Sequence, residues 1–155
     1  MNALRLGPGH SIAAALLLLA LGVGLLGCDK FVGNKSQTCK GGEACSCDGV
    51  GNCEQKCDGP ACKFKCAGMG NCTLKCPDGK CEVDNEATGN MQLTCAGGGC
   101  KVDSSGTGNV VVDCSGGGCA LTCSGTSNCE LKGCKDNCKI DCSGTGSCSC
   151  ESGCK

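Results

Sequence analysis

Cysteine is the residue of this chain that can do chemistry, and 23 of them are present. A thiol can pair as a disulfide, gather metal as a thiolate, or carry lipid. Other reactive groups are scarce. From residue 28 onward there is no His, Trp or Tyr, and the only aromatics are Phe31 and Phe64. Without His there is no His-based triad or histidine general base, and the carboxylates are scattered, so an enzyme is not expected and no cofactor is implied. With Arg5 set aside, 13 basic residues face 15 acidic ones. That balance offers no polycation for nucleic acid.

The N-terminal residues have the pattern of an export signal. Arg5 provides a positive start, and Ile12 to Leu26 form an apolar run that is short for a membrane span. The run closes on Leu25-Leu26-Gly27-Cys28. This resembles the lipobox of bacterial lipoproteins, in which a small residue precedes a cysteine that is acylated and begins the mature chain; the usual small or β-branched residue is replaced here by Leu26. The resemblance implies a signal peptide over 1–27, lipid such as palmitate on Cys28, and a membrane partner. It places the chain in the bacterial cell envelope, facing periplasm or exterior. Setting Cys28 aside leaves 22 cysteines, an even number. An exported chain so rich in cysteine is expected to be disulfide-bonded. Residues 28–38 then form the lipidated cysteine and a polar tether, and 39–155 the cysteine-rich domain.

The domain repeats itself. Units of alternating ten and nine residues open at Gly49, Gly59, Gly68, Asp78, Ala87, Gly97, Gly106, Gly116, Gly125, Lys135 and Gly144. The segments 106–115, GTGNVVVDCS, and 116–124, GGGCALTCS, are the clearest halves. Each half has period-two alternation bounded by turn glycines, the pattern of a short strand. A 19-residue period stacks as two strands and two turns per coil, each strand pairing in parallel with its copy one coil on. The expected fold is therefore all-β: a disulfide-rich, two-sheet parallel β-solenoid of about six coils, ~25 Å long at the inter-strand spacing.

Two inward columns follow from that stacking. Gln55, Leu74, Leu93, Val112, Leu131 and Cys150 line one sheet; Cys45, Phe64, Val83, Val102, Leu121 and Ile140 line the other. Outward positions are mostly polar, as at Glu54, Lys56, Thr73, Lys75, Lys63, Lys65 and Asp84. Asn52, Asn71, Asn90, Asn109 and Asn128 share one turn position, where carboxamides can stack as a ladder or favour a left-handed turn.

The cysteine columns predict the bridges. The second cysteine follows five positions after the first in Cys57–Cys62, Cys76–Cys81, Cys95–Cys100 and Cys114–Cys119, and Cys134–Cys138 is a shifted copy. At the opposite edge the second cysteine follows six positions after the first in Cys47–Cys53, Cys66–Cys72, Cys123–Cys129 and Cys142–Cys148. Two coils lack this second type, and both members vanish together: Asn85 with Met91, and Ser104 with Val110. A covalent bond between the two columns explains paired absence; bonding along the stack does not. Cys39–Cys45 and Cys150–Cys154 follow by elimination.

A Gly-x-x-Asn turn followed by alternating small and β-branched residues resembles the glycine–asparagine-rich repeat domains of unknown function in exported bacterial proteins. The resemblance covers about 40–154 and implies a β-solenoid without catalytic residues. Those domains usually carry Val or Thr where this chain has Cys. The expected function is a non-catalytic, lipid-anchored envelope or cell-surface scaffold for structural or adhesive interaction, with a protein or an envelope polymer as partner. The first alternative is thiolate metal storage, suggested by the cysteine density. A second is ice binding, for which Thr88, Thr107, Thr126 and Thr145 form only one column. The turn aspartates of calcium-binding toxin repeats are missing from the glycine turns.

Overall fold

The computed structural model describes residues 31–155. In chain order the strands are β1 (Phe31–Val32), β2 (Lys35–Lys40), β3 (Ala44–Cys47), β4 (Gly49–Val50), β5 (Cys53–Asp58), β6 (Lys63–Cys66), β7 (Cys72–Lys75) and β8 (Glu82–Asn85). They continue as β9 (Met91–Thr94), β10 (Lys101–Ser104), β11 (Asn109–Asp113), β12 (Ala120–Cys123), β13 (Asn128–Lys132), β14 (Lys139–Cys142) and β15 (Cys148–Cys150). Alternate strands belong to alternate sheets. One sheet runs β14-β12-β10-β8-β6-β3, the other β15-β13-β11-β9-β7-β5-β2, and β1 pairs with β4 at the edge between them. Every pair is parallel. The result is a two-sheet β-solenoid of about six coils.

The register carries the repeat directly. Val83, Val102, Leu121 and Ile140 stand one above another across β8, β10, β12 and β14. Leu74, Leu93, Val112 and Leu131 do the same in the facing sheet. A slip by one residue would turn each of these side chains to solvent, so the single apolar column per sheet enforces alignment. Phe64, Leu74, Leu93, Val102, Val112, Leu121 and Leu131 are all buried; Ile140, in the last coil, is only partly so.

Two features depart from the simple repeat. Among the described residues strand structure is already present at Phe31, ahead of 39, because β1 and β2 pair with β4 and β5. The stretch expected to be a tether is thus mostly a first partial coil, and its Lys35–Lys40 alternation matches that of β5. In that coil the offset is 18 residues (Gln37 opposite Gln55), whereas later coils keep 19 (Gln55 opposite Leu74). Glu43 therefore takes the usual place of a bridging cysteine, since the next strand aligns Ala44 with Lys63.

The turns are stacked as tightly as the strands. At the edge with the five-residue bridges, the residue before the second cysteine is left-handed in coil after coil: Ala61, Lys80, Gly99, Gly118 and Asn137. Only two are glycine, so the geometry is held by ring closure and not by residue type. Opposite, Gly70 has φ +141° and a Cβ there would overlap the carbonyl oxygen of Gly51. That position needs glycine because the coil below touches it.

One core position is polar and unsatisfied. Gln55 is fully buried in the Leu column, and neither its Oε1 nor its Nε2 has a hydrogen-bond partner among the described residues. Leaving such a group unpaired costs about 1–3 kcal/mol. Gln55→Leu, which copies Leu74 directly above it, should raise the guanidinium midpoint of unfolding. A lower midpoint would mean that the carboxamide has a partner in solution.

Candidate functional site

The structure brings together every cysteine pair expected from the columns. Cys57–Cys62, Cys76–Cys81, Cys95–Cys100, Cys114–Cys119 and Cys134–Cys138 close one edge, with Cα separations of 5.9–6.4 Å. Cys47–Cys53, Cys66–Cys72, Cys123–Cys129 and Cys142–Cys148 close the other, at 6.0–6.7 Å. These lie within the ordinary range for a bridge. Cys39–Cys45 and Cys150–Cys154 differ in kind. Cys45 and Cys150 belong to the central columns, in register with Phe64 and Leu131. Each terminal bridge therefore reaches into the middle of its coil and caps the stack, where a large apolar side chain would lack a neighbour on one side. Cys28 lies outside the described residues.

Nine bridges have both cysteines buried; Cys142–Cys148 and Cys150–Cys154 are accessible. Successive bridges stack. The Sγ atoms of Cys57, Cys76 and Cys81 lie within 4.8 Å of one another, as do those of Cys76, Cys95 and Cys100, and of Cys95, Cys114 and Cys119. Reduced, such triplets have the donor set of a soft-metal site. Bonded, their sulfurs hold no thiolate charge, which is what such a metal takes.

In the two coils without the second bridge, complementary side chains occupy the gap. Asn85 and Ser104 continue the column of Cys66 and Cys123. Asn85 Nδ2 donates to Ser104 Oγ at 2.9 Å, and Ala87 N donates to Asn85 Oδ1 at 3.4 Å. Met91 and Val110 continue the facing column and are buried. A hydrogen-bonded polar pair beside an apolar pair fills the space of two disulfides.

The asparagine column is a ladder. Asn71 N, Asn90 N and Asn109 N each donate to the side-chain oxygen of the Asn one coil below, at 3.0–3.2 Å. Asn128 Nδ2 donates to Asn109 Oδ1, and Ser147 N to Asn128 Oδ1. None of these asparagines is left-handed. Their role is to satisfy the amide at the start of each strand above.

What the coils present outward is charge in ranks. On the six-stranded sheet Lys63 pairs with Glu82 at 3.2 Å, and Lys65 with Glu86 at 3.1 Å and Asp84 at 3.5 Å. The hydrogen bond to Glu86, with the negative charge of Glu86 and Asp84, raises the pKa of Lys65 above the usual lysine value. On the other sheet Lys56 and Lys75 stand directly opposite, and Lys75 pairs diagonally with Glu54. These pairs are exposed and add little stability. They leave opposite charges paired across neighbouring coils at these positions. A shallow open groove runs between the ranks headed by Lys63 and Lys65, floored at Phe64 and Val83. Thr88, Thr107, Thr126 and Thr145 stand in single file on a turn edge, away from both faces.

Comparison with family profiles, with characterised proteins and with solved structures gave no match. The β-solenoid and its bridges thus stand on the chain's own repeat and geometry.

Proposed function

We propose that this chain is a non-catalytic lipoprotein of the bacterial envelope, of the exported glycine–asparagine-rich repeat type, anchored through Cys28. Its solenoid acts as a rigid, disulfide-stapled scaffold for structural or adhesive contact with a protein or an envelope polymer. The observation that carries this reading is the use of the cysteines. All those from Cys39 to Cys154 are spent on closing coils, which leaves two flat, charge-ranked faces as the chemistry on offer. Bridges of this kind suit an oxidising compartment, in agreement with the export signal and the lipobox-like Leu25-Leu26-Gly27-Cys28.

The test is cellular fractionation with mass spectrometry. The wild-type chain is expected in the membrane fraction, beginning at Cys28 with acyl mass on it. Cys28→Ser should abolish both acylation and processing at that site. A wild-type mature chain that starts elsewhere and fractionates as soluble would overturn the anchor. Thiols that appear in number without reductant, and that a metal protects, would replace the scaffold with metal storage.

A further inference from the structure

We infer that the first three coils carry a membrane-seating ridge, through which the solenoid rests on the lipid surface beside its own anchor; this deepens, and rests on, the reading that Cys28 is lipidated. Among the described residues the exposed large hydrophobic side chains are Val32, Val50 and Met69, at 88%, 46% and 59% exposure. They are not scattered. Val32 is in register with Val50, and Val50 bridges in parallel to Met69. The three form one file along a turn edge, ~10 Å from first to last at the strand spacing.

The file changes character along the rod. From the fourth coil the same position holds Thr88, Thr107, Thr126 and Thr145. The backbone confirms the alignment: Met69 N donates to Gly49 O, Thr88 N to Gly68 O and Thr107 N to Ala87 O. Turn chemistry does not require the apolar residues, since Thr serves equally well further on. Their surroundings are also suited to lipid. Residues 31–34, 49–52 and 68–71 contain no charged side chain, and the acid nearest to them in the chain is Asp48, at the start of the second turn. Lys35, at the foot of the ridge with its Nζ 5.7 Å from the Phe31 ring centroid, supplies a cation for anionic headgroups.

Position selects the occupant. The first described strand, β1, belongs to the ridge itself, and Cys28 lies three residues before Phe31. An extended span of that length is at most about 10 Å. A lipid on Cys28 therefore holds these side chains at the bilayer surface, where contact is intramolecular in character and needs little affinity of its own. Three side chains would not anchor a free protein. Next to an acyl chain they decide which edge of the rod faces the membrane, and so turn both charged faces sideways and outward.

The chain has no Trp, so single Trp reporters are clean. Val50→Trp, Met69→Trp and Thr126→Trp would be purified as mature lipidated chains and reconstituted into phosphatidylethanolamine/phosphatidylglycerol vesicles with brominated acyl chains. Reporters at 50 and 69 are expected to be quenched at least roughly twofold more than the one at 126, as for aromatics at the membrane interface. Adding Met69→Asp to the Val50→Trp chain should reduce that quenching while the chain still sediments with vesicles. Bound chains with no difference among the three positions would overturn the ridge and leave the anchor standing. A mature chain without acyl mass that fails to sediment would remove the anchor, and this inference with it.

Discussion

Full reduction and alkylation is expected to unfold the domain in native buffer, with loss of the β circular-dichroism signal and of protease resistance. Each bridge closes a short loop, spanning four to six residues in sequence separation. Chain-entropy arithmetic assigns such a loop about 2 kcal/mol. Eleven of them, even without strict additivity, exceed the roughly 5–15 kcal/mol of net stability typical of a domain. The noncovalent core cannot compensate. Each coil buries one central side chain per sheet, such as Leu74 facing the Val83 column, and the rest of the buried surface is largely cysteine itself. Under mild dithiol without denaturant, Cys142–Cys148 and Cys150–Cys154 should open first, since the other nine bridges are buried. Peptide mapping after brief alkylation reads this order. A reduced chain that keeps its β signal would show that the stacked backbone alone suffices, and the structural reading of the cysteines would fail.

The fold was legible in this sequence because a solenoid writes its register into its period. Leu74, Leu93, Val112 and Leu131 could be placed above one another from spacing alone, and the structure pairs them so. The bridges were legible for a related reason: where Cys66 and Cys72 have no counterpart in the next two coils, both positions change together. What stayed hidden was whatever breaks the period. The first coil is one residue short, so β1 and β2 read as a polar tether. The left-handed turn residue is Ala61, Lys80 or Asn137 in three coils and glycine in two, and no residue type marks it. The choice between ladder and turn for the asparagines depended on backbone geometry that both readings share in sequence. Charge partners such as Lys65 and Glu86 were visible only once the coils were stacked. No spacing in the chain names a partner, because flat charged faces have no motif.

The covalent logic of the second edge can be tested where it lapses. Asn85→Cys combined with Met91→Cys is expected to form a twelfth bridge, with no free thiol by titration. The two positions sit in register with a bridged coil on one side, Asn85 above Cys66 and Met91 above Cys72, and with the unbridged Ser104 and Val110 on the other. Flanking bridges in these columns have Cα separations of 6.4 Å (Cys66–Cys72) and 6.7 Å (Cys123–Cys129), so the backbone needs no large change. The new loop contributes about 2 kcal/mol. Loss of the Asn85 hydrogen bond strands Ser104 Oγ and takes back about 1 kcal/mol or more, so the gain in stability is small and the mapped bond is the decisive readout. Asn85→Cys alone should behave very differently. It leaves an odd thiol in a column where neighbouring sulfurs lie within 4.8 Å, as Cys47, Cys66 and Cys72 do. Attack on the Cys66–Cys72 bridge then exchanges one disulfide for another and releases a new thiolate. The single variant should accordingly yield mixed isomers and less folded protein, and adding Met91→Cys should rescue it. If mapping instead joined Cys57 to Cys76, or Cys100 to Cys119, the bonds would run along the stack, and the edge-to-edge stapling on which the scaffold rests would be wrong.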